Sequence, residues 1–74
     1  MTMPNEEAKK IVSHNLKKYR ESAGLTQIAL SIKINKNPEY ISKIERAVVL
    51  PSVEMIFKIA AALNIEPYKL LMTK

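Results

Sequence analysis

The chain has no cysteine, no tryptophan and no aspartate, and only one glycine and one histidine among its 74 residues. Without cysteine there are no disulfides and no thiolate chemistry, which is compatible with a reducing compartment. A nucleophile or metal site needs converging ligands, and a lone histidine without cysteine or aspartate supplies too few. That histidine, His14, lies near Lys17 and Lys18 on a helical stretch and reads as a surface residue. A single glycine leaves no glycine-rich loop to cradle a phosphate. No apolar run approaches the ~18 residues that suggest a membrane span, and the charged N-terminus is unlike an export signal. The expectation is a non-enzymatic, cytoplasmic protein with no cofactor and no metal.

What is present is positive charge and helical periodicity. Twelve Lys and Arg against seven Glu give a net charge of +5 and a pI near 9.6. Such a balance suits an anionic partner such as nucleic acid, although a basic surface is also simply a soluble one. A chain of this length buries about 60% of its unfolded surface, which favours a few short helices around one core. Residues 1–74 are therefore expected to form one domain, with 1–4 disordered.

The organising stretch is Leu25 to Arg46, LTQIALSIKINKNPEYISKIER. Thr26 is a good N-cap for a helix with Leu30 and Ile34 on one face and the small Ser31 beside them. Asn35 is suited to a left-handed turn after it. Asn37 is placed to cap a second helix, with Pro38 at its first position and Glu39 at the positive end of the helix dipole. Ile41 and Ile44 then point inward, leaving Pro38, Glu39, Ser42, Lys43 and Arg46 on other faces.

The flanks read as support. Asn5 can cap a first helix that has Glu6 and Glu7 in its first turn and an apolar stripe of Ala8, Val12, Leu16, Tyr19 and Ala23, ended by Gly24. After Arg46, the segment AVVL offers Val48, Val49 and Leu50, one of which can face the core. Pro51 and Ser52 then start a helix whose expected core residues are Val53, Ile56, Phe57, Ala60 and Leu63. Asn64 ends it, and Pro67 opens a last short helix with Leu70 and Leu71. The fold expected is all-α, five short helices without strands.

Gln27 at the start of the first motif helix, apolar Leu30, Ile34, Ile41 and Ile44, the small Ser31 and the tail Ile-x-x-Ile-Glu-Arg together resemble the helix-turn-helix of the Cro/cI-type (Xre family) repressors. The resemblance runs from about Leu16 through Leu71 and implies a lambda-repressor-like domain with the motif at helices two and three. Lys36 stands where relatives usually carry an apolar turn residue, and Ala47 where a helix-ending glycine is common. The resemblance further implies that Arg20 pairs with Glu45, two charges that could otherwise be merely solvated.

The expected function is sequence-specific binding of double-stranded DNA by a transcriptional regulator, a repressor of the Cro/cI type. Base reading falls to the early turns of the second motif helix. Glu39 can accept from a cytosine amino group, Ser42 and Lys43 can reach purine edges, and Pro38 can offer only an apolar contact. Backbone N–H groups near Gln27 and Asn37 can hold phosphates, as the resemblance implies for Gln27, with Lys36, Arg46 and Tyr40 beside them; Tyr40 can equally be a packing residue. One short helix reads few base pairs, which argues for a homodimer on a two-fold symmetric operator. The resemblance places self-association on the loop and last helices, where Val48, Val49, Leu70, Leu71 and Met72 supply apolar surface. Two other readings share this fold. One is an antitoxin that masks a toxin while repressing its own operon, favoured if Ile28 and Ile32 are exposed instead of packed on the first helix. The other is a restriction-modification controller.

Overall fold

Helix α1 spans Asn5–Ser22, α2 Gln27–Lys33, α3 Tyr40–Glu45 and α4 Val53–Leu63, and a single 3₁₀ turn follows at Pro67–Leu70. The computed structural model describes residues 5–73, and no strand occurs among them. The chain is already helical at Asn5, the residue expected to cap α1. The disorder expected for 1–4 lies outside the described residues. Val12 and Leu16 of α1, Leu30 and Ile34 around α2, Ile41 and Ile44 of α3, and Met55, Ile56, Ile59, Ala60 and Leu63 of α4 form one core with Leu70. Burying each such side chain stabilises the fold by roughly 1.5–3 kcal/mol.

Each α-helix ends in the same local way. Gly24 (φ 74°), Asn35 (62°), Ala47 (61°) and Asn64 (62°) all take the left-handed conformation. After each, the next residue's N–H reaches back five residues: Leu25 to Arg20 O, Lys36 to Ser31 O, Val48 to Lys43 O and Ile65 to Ala60 O. This satisfies carbonyls that a helix end would otherwise leave unpaired. Asparagine tolerates that conformation, whereas alanine at position 47 carries its Cβ penalty.

Three details differ from the sequence reading. The final element is a 3₁₀ turn and not an α-helix, with i to i+3 bonds from Lys69 N to Glu66 O and from Leu71 N to Tyr68 O. The buried Asn15 amide of α1 donates to Leu70 O (3.0 Å) and Met72 O (2.8 Å), taking carbonyls that a longer helix would use. Helix α4 is turned relative to the expected stripe: Met55 and Ile59 are inside, while Val53 (74% exposed) and Phe57 face outward. Ala23 is also exposed, because α1 has already ended at Ser22.

Candidate nucleic-acid interface

Thr26 Oγ1 accepts from Ala29 N at 3.0 Å and fixes the start of α2. The start of α3 is built differently from the expectation that Asn37 caps it. Pro38 and Glu39 form a turn closed by Tyr40 N to Asn37 O (2.9 Å), and α3 begins two residues later, at Tyr40. Its N-cap position, Glu39, has α-region backbone angles and makes no side-chain cap bond. A capping side chain normally needs an extended backbone, so Glu39 is left projecting outward.

Ser31, fully buried at 0% exposure, lies where α2 and α3 meet. Its hydroxyl donates to Gln27 O at 2.9 Å and accepts from Ile41 N at 3.0 Å. At the other end of α3, Glu45 collects four donors. Arg20 Nε reaches Oε2 at 2.6 Å and Arg20 Nη2 reaches Oε1 at 3.1 Å. The Gln27 amide donates to Oε1 at 2.9 Å, and Ser13 Oγ donates to the Glu45 backbone carbonyl at 2.6 Å. Arg20 also donates to Leu25 O at 2.7 Å. The Arg20 and Glu45 side chains are only 10% and 5% exposed, and the bond to Glu45 raises the Arg20 pKa against the opposing effect of burial. Among the described residues no buried side-chain nitrogen or oxygen lacks a partner.

The outward face carries most of the residues chosen from the sequence. Lys36, Asn37, Pro38, Glu39, Lys43 and Arg46 are exposed, and Ser42 is half-buried. Glu39, Ser42, Lys43 and Arg46 recur at three- and four-residue steps, so they share the side of α3 turned away from Ile41 and Ile44. Arg46 Nε donates to Ser42 Oγ at 3.2 Å. Tyr40 is half-buried against the core, its ionisation pushed up by burial, with Lys36 Nζ 4.9 Å from its ring centroid. Sequence reasoning missed Ser13 and Asn15, and it saw Ser31 only as a small residue. The signal available for Asn15 was a polar residue flanking the apolar stripe of α1. Gln27 differs too, since its side-chain amide is engaged by Glu45.

The remaining assigned residues divide. Leu70 is fully buried and does not present the apolar patch expected of it, Val49 is half-buried against the core, and Val48, Leu71 and Met72 are exposed. Leu71 joins Leu50, Val53, Phe57 and Tyr68 around an apolar groove of about 550 Å³ that Ala8 and Ile11 of α1 also line. Ile28 and Ile32, expected to pack on α1, are 57% and 58% exposed on one face of α2. The face of α2 that meets the core carries Leu30 and Ser31, with Ile34 just after the helix, and Ile28 and Ile32 lie on another face. Among the described residues no group of His, Cys, Asp and Glu gathers to hold a metal, and no helix is long and apolar enough to cross a membrane.

Two helices joined by a left-handed turn, the second with its polar face outward, define the helix-turn-helix class. The chain belongs to the helix-turn-helix family HTH_3, a family of DNA-binding transcription regulators, whose model matches residues 16–70. Among solved structures it is similar to a hypothetical transcription factor, NHTF from Neisseria, at 25% identity and a TM-score of 0.85, over 97% of this chain and 83% of that one. It is also similar to the restriction-modification controller protein C.AhdI from Aeromonas hydrophila, at 28% identity and a TM-score of 0.84, over 92% of this chain and 99% of that one. An HTH_3 family transcriptional regulator from Vibrio cholerae shares the fold, with 24% identity and a TM-score of 0.83, over 90% of this chain and 38% of that one. Among curated proteins no sequence matches the chain.

Proposed function

We propose that the protein is a cytoplasmic transcription regulator that binds a two-fold symmetric DNA operator as a homodimer, with α3 lying in the major groove. The observation that carries this reading is the outward face of α3, where Glu39, Ser42, Lys43 and Arg46 stand together on a helix whose other face is locked into the core. A helix of this width fits the major groove, where every base pair presents a distinct pattern. Glu39, Ser42 and Lys43 read base edges, and Pro38 makes an apolar contact. Arg46, Lys36 and Asn37 hold phosphates, with Tyr40 at the boundary. Because Glu45 engages the Gln27 side chain, Gln27 contributes its backbone N–H at the start of α2.

The second copy meets the apolar side of the molecule. Val53, Phe57, Tyr68 and Leu71 line the groove there, and Val48 and Met72 are exposed as well, more apolar surface than a small monomer comfortably leaves in water. Selection of bound duplexes from a random DNA pool tests the reading directly. A palindromic consensus with half-sites about one helical turn apart is the expected result, and a pool that never enriches overturns it.

One observation favours a second reading, a protein-binding module of the antitoxin kind. Ile28 and Ile32 present an exposed apolar pair on α2, outside the set of residues assigned to the dimer. A stoichiometric protein partner lost on Ile28→Lys would support it, whereas DNA binding unaffected by that change and no such partner would leave the regulator reading alone. A third reading, a restriction-modification controller like the similar C.AhdI, differs from the first only in its target gene.

A further inference from the structure

Helix α3 is six residues long, far below the ~12–15 residues at which an isolated helix becomes even marginally stable. Its start is also poorly provided for locally: Pro38 and Glu39 form a turn, and Glu39 makes no capping bond. An N-cap side chain ordinarily accepts from the second or third N–H of its helix. In this protein the second N–H of α3, that of Ile41, is bonded by Ser31 of the preceding helix, 3.0 Å away in a fully buried site.

We propose that Ser31 is the N-cap of α3, supplied across the motif, and that it acts as a positioning residue for base reading although it stands on the inner side of α2. The inference rests on the reading that α3 contacts bases. Ser31 Oγ donates its own proton to Gln27 O, which fixes the hydroxyl so that its lone pairs face Ile41 N. The first turn of α2 is thereby tied to both ends of α3. Ser31, bonded to the Gln27 carbonyl, holds the N-terminal end, and the Gln27 amide bonded to Glu45 holds the C-terminal end. A short helix held at one end can pivot about it, and a second tie removes that freedom. The direction in which Glu39, Ser42 and Lys43 project is then set by Ser31 together with the buried Ile41 and Ile44 and the tie at Glu45. Pivoting would blur contacts with base edges, which need defined geometry, far more than contacts with phosphates, which act on every sequence alike.

The test compares the unmodified protein with Ser31→Ala and with Ser31→Cys, which has the same shape with a somewhat larger sulfur atom and accepts only weakly. Binding is measured on a duplex selected by the unmodified protein and on a scrambled one, at several salt concentrations. Ser31→Ala is expected to lower the ratio of specific to non-specific affinity by about tenfold, the discrimination that one misaligned base-edge contact forfeits. Non-specific affinity and the salt slope stay unchanged, and Ser31→Cys falls between. Amide exchange in the unmodified protein gives an independent measure: the Ile41 N–H should exchange as slowly as the Ile44 N–H in the same helix. A Ser31→Ala protein that keeps its selectivity within twofold, or an Ile41 amide that exchanges orders of magnitude faster than Ile44, overturns the proposal. Should Ser31→Ala fail to fold, Ser31→Cys with full selectivity overturns it equally. Failure of the underlying reading looks different, because then the unmodified protein itself shows no preference among duplexes.

Discussion

The two sides of this molecule are finished by opposite means. On the side of α2 and α3, the interior polar groups are matched: Arg20, Gln27, Ser31 and Glu45 form hydrogen bonds at fixed distances, and what α3 projects outward is charged or small, with Ile28 and Ile32 of α2 the apolar exceptions. On the side of α4 and the 3₁₀ turn, the surface is left apolar and unclosed around the groove lined by Val53, Phe57, Tyr68 and Leu71. Directional bonds fix an orientation, which is what reading an irregular polar surface such as DNA demands. Apolar contact is non-directional and stabilises in proportion to area, which is what holding the proposed second copy would need.

The contrast is broken most severely at its buried charge. Glu45→Ala leaves Arg20 buried without its partner and is expected to cost about 3–5 kcal/mol, which in a domain of this size lowers Tm by ~10 °C or more. A calorimetric melt with an unchanged midpoint would show that the polar side is not locked in the way described. On the apolar side, Phe57→Glu should leave monomer stability within ~0.5 kcal/mol, because the ring is exposed, yet weaken self-association by about 2 kcal/mol if it lies at the centre of the interface. Sedimentation measures this, and an unmodified protein that remains monomeric at high micromolar concentration sinks the dimer. Val49→Lys is predicted to act differently, by unfolding the protein, since Val49 packs against the core.

Within the polar face, reading and positioning separate next. Glu39→Ala should remove discrimination at one position per half-site, worth ~1–3 kcal/mol. Arg46→Ala should weaken all binding alike and make log affinity against log salt shallower by about 0.9. Titrations in which Glu39→Ala leaves base preference intact while Arg46→Ala abolishes it would mean that α3 does not enter the major groove as proposed. A smaller effect is a gain. Ala47→Gly relieves an alanine held at φ 61° and should raise stability by about 1 kcal/mol, visible as a higher denaturation midpoint. The smallest concerns Tyr40, whose pKa burial raises. The folded state then keeps a proton that the unfolded chain gives up as pH rises past the ordinary tyrosine value. Stability should therefore decline in that alkaline window, and less steeply in Tyr40→Phe.

Much of the architecture was legible because it rests on local chemistry. Thr26 and Ser52 cap α2 and α4, Gly24, Asn35 and Asn64 end their helices, and Leu30, Ile34, Ile41 and Ile44 are buried at helical spacing. The rotation of α4 was not legible, because its sequence VEMIFKIAAAL is apolar on nearly every side. Two stripes then satisfy the same periodicity, and only packing chooses between them. Leu70 and Leu71 are neighbours whose fates, buried and exposed, depend on a 3₁₀ turn held by Asn15 from 55 residues away in sequence. The outward residues of α3 could be listed from the spacing of Ile41 and Ile44. The bonds of Ser31 and Gln27 could not, because a hydroxyl or amide gives no periodic signal and its partner is chosen in three dimensions.

The four left-handed helix ends also bear on how quickly the chain can fold. Each stop at Gly24, Asn35, Ala47 and Asn64 is made by atoms at most five residues apart, so element boundaries can be set before any distant contact forms. What remains for the slower search is the docking of short, already delimited segments. Helical domains whose contacts are mostly local fold in microseconds to milliseconds. If the chain binds DNA as the dimer proposed above, the delay between a finished chain and a bound site is then set by dimer encounter and DNA search, both of which depend on concentration.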